Sequence, residues 1–285
     1  MIRCGRIDPM RRHLPFAKGH GTGNDFVIVP DPDGALDLSA DLVAALCDRR
    51  RGVGGDGVLR IVRTAECPEV AANADATEWF MDHRNADGSR AQMCGNGARV
   101  FARYLVERGL AAGPRVVILT RSGVVTAEVG EDMITVDMPM PEIGGESTAH
   151  LSDVELKGTT AFCGNPNLVC AVPEPGVLDL TRAPVLDPAA FPAGANVEFY
   201  APAEPPTAGT DLHVRMRVVE RGVGETMSCG SGACAVAAVA LRDHGRETGV
   251  VSIDVPGGGL TVTLDDGWCR LAGPAVVVAD GVVTI

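Results

Sequence analysis

No run of this 285-residue chain approaches the ~18 or more uninterrupted apolar residues of a membrane span, although 46% of its residues are hydrophobic and 22% charged. The composition is that of a folded globular protein, expected in the cytoplasm with no membrane partner. Positive charge is scarce: 25 Lys and Arg against 37 Asp and Glu leave a net charge of −12, which disfavours binding to nucleic acid or anionic lipid. Lysine is scarcer still. Lys18 and Lys157 are the whole supply, a poor one for chemistry through a Schiff base. None of the nine cysteines forms a C-x-x-C pair, and none of the six histidines stands at ligand spacing from Cys, Asp or Glu, so no metal centre is expected. An odd number of cysteines in a chain of this size reads as reduced thiols, most of them core fillers. The N-terminal M-I-R-C-G-R-I-D-P-M-R-R-H-L-P breaks up with charge and proline before any apolar region forms, unlike a secretory signal.

What is present comes twice. Q-M-C-G-N-G-A-R (Gln92 to Arg99) and T-M-S-C-G-S-G-A-C (Thr226 to Cys234) share C-G-x-G-A, and each opens a helical pattern, Cys94 to Gly109 and Gly230 to His244. A further helix is expected from Asp41 to Arg50, opened by Ser39. Alternation marks strands at Phe26 to Val29, Val58 to Val62, Arg115 to Thr120, Gly123 to Val129 and Met133 to Met138. A second set follows at Leu168 to Val172, Asn196 to Tyr200, Leu212 to Val219, Val250 to Val255 and Leu260 to Leu264. The half-chain separation of Cys94 and Cys229 points to duplication, with Met138-Pro139-Met140-Pro141 as the linker and Ala201 to Gly209 as a surface loop. G-V-G-G-D-G (Gly52 to Gly57) lacks the Lys-Ser/Thr ending of a phosphate loop and runs into a strand instead of a helix.

In both motifs the glycines allow a tight turn that aims backbone N–H groups into a pocket. A helix N-terminus carries roughly +0.5 of an elementary charge, favours a bound carboxylate and can lower a thiol's pKa from ~8.5 into the ~3.5–7.5 range. Two related halves facing each other place Cys94 and Cys229 on opposite sides of one small ligand. That arrangement suits inversion of an α-amino acid, one thiolate removing the α-proton and the opposite thiol returning one to the other face. It needs neither cofactor nor metal.

From Lys18-Gly19-His20-Gly21-Thr22-Gly23-Asn24-Asp25-Phe26 to the closing D-G-V-V-T-I, the chain resembles the diaminopimelate epimerase family of cofactor-independent racemases. The most specific pieces are N-A-D-G-S with Q-M-C-G-N-G-A-R, G-N-P (Gly164 to Pro166), Glu220 to Ala235, and V-P-G-G-G-L (Val255 to Leu260); roughly the first fifteen residues fall outside the match. The resemblance implies an α+β fold of two pseudo-symmetric lobes, each a mostly antiparallel sheet or barrel wrapped around a central helix. The expected lobes are 1–138 plus 275–285, carrying Cys94, and 139–274, carrying Cys229. It implies that Cys94 and Cys229 are the acid and base. The backbone of Gly95, Asn96, Gly230 and Ser231 would hold the reacting carboxylate, and Asn24, Asn85, Asn165, Asn196, Glu220 and Arg221 would line the cleft. These types suit diaminopimelate, which has an amino acid head at each end: Arg221 offers a fork to the distal carboxylate and Glu220 a partner for an ammonium. The implied activity interconverts LL- and meso-diaminopimelate, feeding lysine and peptidoglycan synthesis. The implied partner is a small-molecule substrate, and a homodimer stays open.

Two departures from the family stand out: Asn167 follows G-N-P where histidine is frequent, and Gly57 stands where some members carry glutamine, a contact expected to pass to water. Asn96 argues against relatives acting on proline, which typically carry C-G-H-G. Two alternatives stay open, a racemase of another amino acid and a protein whose two thiols cycle with a disulfide.

Overall fold

The computed structural model describes residues 13–205 and 207–284; the basic N-terminal stretch up to residue 12, with Cys4, lies outside them. Short alternating segments cut by glycine and aspartate become strands, eighteen among the described residues, and they wrap two helices. In the first half, β1 (His13–Gly21) and β2 (Asn24–Pro30) form a hairpin over Thr22-Gly23. There follow α1 (Ala40–Cys47), β3 (Gly57–Arg63), β4 (Trp79–Asn85), α2 (Gly95–Glu107), β5 (Arg115–Thr120), β6 (Gly123–Val129) and β7 (Ile134–Met138). The second half opens with β8 (Glu142–Leu151), β9 (Val154–Phe162), β10 (Pro166–Ala171), β11 (Val185–Leu186), β12 (Asn196–Pro202), β13 (Leu212–Glu220) and β14 (Gly224–Thr226). It closes with α3 (Gly230–Asp243), β15 (Gly249–Val255), β16 (Gly258–Asp265) and β17 (Trp268–Gly273), before β18 (Val276–Thr284) returns to pair with β1.

The pairing order repeats. It runs β18-β1-β2-β3-β4-β5-β6-β7 in the first half and β8-β9-β10-β12-β13-β15-β16-β17 in the second. Both series are antiparallel except at the same two steps, β2–β3 with β4–β5, and β10–β12 with β13–β15. β7 and β17 pair antiparallel and join the series. Helix α2 packs inside the first set and α3 inside the second, so the expected α+β architecture of two pseudo-symmetric halves is what the chain adopts.

The helices are duplicates down to their ends. Each has its motif cysteine at the N-cap and closes on a glycine in the left-handed region, Gly109 (φ 65°) and Gly245 (φ 70°). In α2 the N–H groups of Gly109 and Leu110 reach the carbonyls of Val106 and Leu105; in α3 those of Gly245 and Arg246 reach Arg242 and Leu241. This is the same glycine cap twice. From Gly230 to Leu241 every α3 residue is buried, and its alanines and valines let the sheet close tightly around it.

Several boundaries differ from the sequence reading. Helix α1 stops at Cys47, short of Arg50, because Asp48 Oδ1 accepts the N–H groups of Arg50 and Arg51 (2.9 Å each) and bends the chain into a turn. Strand β12 runs on to Pro202 against Val214, so Ala201 and Pro202 belong to the sheet. Strands β1, β4, β8, β9, β17 and β18 carried no clear alternation. In β8 the segment Glu142 to Glu146 is exposed on both faces, and β1 contains two glycines and two histidines.

Candidate active site

The two helix mouths meet. A Cβ on Gly230 would stand 3.6 Å from the Gly95 Cα, and Leu271 presses on both glycines. Side chains at either position would press on Leu271, at 3.2 Å from a Cβ on Gly95 and 3.0 Å from one on Gly230, and at Gly95 on Met138 as well (3.1 Å). Cys94 and Cys229, the residues just before, therefore open onto one site, and the Glu220 carboxylate acts on both thiols.

At the first mouth Cys94 Sγ accepts the Gly97 N–H (3.3 Å) and lies 3.8 Å from Asn24 Oδ1. Asn24 is held in turn: its Nδ2 donates to Asp56 (2.8 Å), at the end of the glycine-rich loop. Asp56 also accepts the Asp25 N–H, Arg49 bridges Asp25 and Asp56, and Lys18 donates to Asp25 and to the Gly54 carbonyl. The G-V-G-G-D-G loop thus serves as a brace for the β1–β2 turn.

At the second mouth Cys229 Sγ lies 3.5 Å from Ser231 Oγ and 3.9 Å from Asn196 Nδ2. Asn196 also donates to Asn167 Oδ1 (3.1 Å) and accepts the Arg221 N–H (3.0 Å). Fully buried Asn167 donates to the Asn165 carbonyl (2.7 Å). Where histidine is frequent in the family, Asn167 here is a strut that orients Asn196 and the G-N-P turn. Cys234, the second motif's other cysteine, is fully buried against Cys163 and Cys269.

Glu220 accepts the Thr226 hydroxyl (2.5 Å) across the β13–β14 hairpin, and burial raises its pKa above the usual carboxylate value. Asn165 is half-buried, whereas Asn85 and Arg221 are exposed. Asn85 Nδ2 donates to Ser89 (3.0 Å), and among the described residues the Arg221 guanidinium reaches only the Ala193 carbonyl (3.4 Å).

Burial pushes the Cys94 thiol up to about 11 despite the Gly97 amide, and pushes Cys229 well above the ordinary value, Glu220 and Glu198 adding to the effect. The lowering expected from the helix ends alone is outweighed by desolvation. A thiolate here requires compensating charge from its neighbours.

Sequence reasoning named Asn96 for its backbone but overlooked its side chain, and with it Thr22, Arg99 and Ser228, which tie the mouths together. Asn96 Nδ2 donates to the Ser228 carbonyl (3.0 Å), lies 3.2 Å from the Ser228 hydroxyl, and reaches Asn24 (3.3 Å). Thr22 and Ser228 hydroxyls lie 2.7 Å apart, and Arg99 donates to Thr22 (3.1 Å) and to Asn96 (2.9 Å). Glu198, fully buried on β12, was missed as well. Its place in N-V-E-F-Y was the available signal, a charge inside an apolar strand. Two glycines are also explained. A Cβ on Gly257 of V-P-G-G-G-L would stand 1.7 Å from the Thr22 carbonyl oxygen, so this segment packs on the β1–β2 turn. A Cβ on Gly57 would stand 2.5 Å from the Arg84 carbonyl oxygen and 3.1 Å from His83 Nε2. Protein atoms therefore crowd the place of the glutamine side chain that the sequence reading assigned to water.

Two duplicated half-sheets, each wrapped around one helix, form the architecture in which the two cysteines sit. Solved structures share it across nearly the whole chain: a hydroxyproline epimerase from Agrobacterium vitis (TM-score 0.63, 16% identity, 96% of this chain and 93% of that one) and a Bacillus anthracis phenazine biosynthesis protein of the PhzF family (TM-score 0.68, 17% identity, 96% and 100%). Within that fold the sequence is specific. The diaminopimelate epimerase family model matches residues 16–143 and 159–278. Diaminopimelate epimerases of Thermobifida fusca and Streptomyces coelicolor are 51% and 46% identical, covering 95% of this chain and 98% and 96% of theirs. The chain belongs to the diaminopimelate epimerase family, and it is an isomerase.

Proposed function

We propose that this enzyme interconverts LL- and meso-2,6-diaminopimelate by two-base proton transfer between Cys94 and Cys229. The observation carrying the reading is the contact of Gly95 with Gly230, which sets two N-cap cysteines at one site. The substrate's reacting carboxylate sits on the backbone N–H groups of Gly95, Asn96, Gly230 and Ser231, where two helix ends favour the charge that builds as the α-proton leaves. One sulfur takes that proton as thiolate, and the other delivers its own to the opposite face. Asn24 and Asn196 hold the two sulfurs in place.

The distal amino acid head is read at the rim. Arg221, whose guanidinium among the described residues reaches only the Ala193 carbonyl, takes the distal carboxylate; Glu220, Asn85 and Asn165 complete the polar wall. The lobes divide at 1–138 plus 275–285 and 139–274, in keeping with which strands enclose α2 and α3. A cytoplasmic setting without nucleic acid or membrane partners is proposed, in keeping with the net charge of −12, and a homodimer stays open. Among the described residues no helix is long and apolar enough to cross a membrane.

The test incubates reduced protein with LL-diaminopimelate in deuterated water, without added pyridoxal phosphate or metal, and follows both stereoisomers and α-deuterium. The expected result is meso product carrying solvent deuterium. Absence of exchange from folded, reduced protein, with turnover of another amino acid in a substrate panel, overturns the assignment.

A further inference from the structure

His83 is a buried ionisable residue that the two-cysteine reaction does not use. It stands on β4, two residues before Asn85 and on the same face, since side chains alternate along a strand. The ladder fixes its level in the fold. Leu59 pairs with His83 and Gly57 with Asn85, while Gly57 pairs on its other side with Phe26. Leu59 Cδ2 lies 3.3 Å from where Gly97 would carry a Cβ, and Cys94 Sγ lies 3.6 Å from the same point. His83 is therefore the cross-strand neighbour of the residue packed against the Cys94 turn.

Glycine at position 57 lets the ring lean over β3. The imidazole crosses that strand to meet the Phe26 ring edge-to-face, with centroids 5.5 Å apart and planes at 82°. Its Nε2 lies 3.1 Å from the place of a Gly57 Cβ, so a side chain there would strike it. The ring fills the gap that glycine leaves between Phe26 and Asn85, on the face where Phe26, Leu59 and Met81 share one core with α2.

Only 6% of His83 is exposed, and its Nδ1 is sealed without a partner. Outside the ladder, among the described residues, His83 bonds through its backbone carbonyl alone, to the Arg121 guanidinium (3.0 Å) and the Ala91 N–H (3.1 Å). Burial, with the Arg121 charge adding to it, pushes the ring down to about 4, so it is neutral and has one N–H to place. On Nδ1 that N–H would be a buried donor with nothing to accept it, so the proton belongs on Nε2. The ring then presents a donor at the Gly57 gap, backed by Phe26 and open to a ligand oxygen.

We propose that His83 is a substrate-binding residue whose Nε2–H donates to the distal carboxylate, alongside Asn85. The inference rests on the diaminopimelate reading. The reacting carboxylate is assigned four backbone N–H groups at the helix mouths. The distal one accepts about four hydrogen bonds, of which an Arg221 fork supplies two, and His83 shares its strand face with Asn85 of the distal wall.

The test compares KM and kcat for LL-diaminopimelate in the wild type, in His83→Phe, which keeps a ring against Phe26 and removes the N–H, and in His83→Gln, whose amide returns a donor near the place of Nε2. His83→Phe is expected to raise KM about tenfold or more, as loss of a hydrogen bond to a charged group does, and to raise it more than it lowers kcat. His83→Gln recovers most of that loss. A packing role would reverse the order, since phenylalanine fills the core better than glutamine. A wild-type KM in folded His83→Phe, or a KM in His83→Gln above that of His83→Phe, overturns the proposal. A second measurement needs no variant: nitrogen NMR of histidine-labelled wild type, with the ring assigned through its own backbone amide, is expected to show a neutral imidazole protonated on Nε2 at neutral pH, shifting on saturation with meso-diaminopimelate. A proton on Nδ1, or ring nitrogens unmoved by the substrate, overturns the proposal. Absence of wild-type turnover in the same series would strike the substrate reading instead, and the proposal with it, so the two failures are told apart.

Discussion

The Asn96 side-chain amide donates to the Ser228 carbonyl at 3.0 Å, so the residue two places after the first cysteine grips the residue just before the second. Asn96 lies in the first turn of α2 and Ser228 leads into α3, and the contact spans the junction between the halves. With the Thr22–Ser228 and Arg99–Asn96 bonds it makes the two helix mouths one rigid unit. Pre-organisation of this kind is what a two-base reaction demands of its sulfurs.

Asn96→Ala removes that grip and leaves the Ser228 carbonyl and an Arg99 N–H unpartnered. A loss of about 1–3 kcal/mol in unfolding free energy is expected, and kcat falls more than KM rises, because the lost contact orients catalytic groups. Urea unfolding with steady-state kinetics in both directions checks this. A wild-type kcat contradicts it.

Gly57→Gln, the side chain considered at this position in the sequence analysis, is expected to destabilise this chain. The new Cβ meets the Arg84 carbonyl at 2.5 Å within the β3–β4 ladder, a contact neither strand can relieve without breaking pairing. Overpacking of this sort costs about 1–3 kcal/mol. A melting temperature equal to the wild type's would show that the backbone yields here.

Glu198 gives a pH signature. Burial, then the charge of Glu220, raises its folded pKa well above the ordinary value of 4.5. A group raised in the folded state contributes stability that is fully present below the unfolded pKa and is lost as pH rises toward the folded one. Glu198→Gln, a neutral near-isostere, removes that dependence. Its stability relative to the wild type should therefore grow from about pH 4.5 upward, measured by urea midpoints across pH. A difference that shrinks as pH rises contradicts a protonated Glu198.

How much of this was legible depends on what each residue contacts. The C-G-x-G-A mouths, the paired cysteines and the strands with clean alternation are local patterns, and the structure places the cysteines at the helix N-caps as read. Of the strands that escaped reading, β1 and β18 pair with each other from opposite ends of the chain, whereas β8 and β9 form a local hairpin in which the exposed Glu142 to Glu146 shows no alternation. The site's bracing was equally hidden. Thr22, Arg99 and Ser228 are ordinary residues until the fold brings them together, and the crowding at Gly57 comes from the neighbouring strand. Ionisation was misjudged for a physical reason: the helix ends were visible in the motifs, but the burial that outweighs them was not.

The central claim is that Cys94 and Cys229 work as one acid–base pair. It is tested most directly by assaying Cys94→Ala and Cys229→Ala for epimerisation of LL-diaminopimelate, with circular dichroism and melting temperature confirming the fold. The account predicts that each variant alone loses roughly 10²–10⁴-fold or more in kcat while remaining folded, since neither sulfur can serve both faces of the substrate. Near-normal turnover in either folded variant would contradict it.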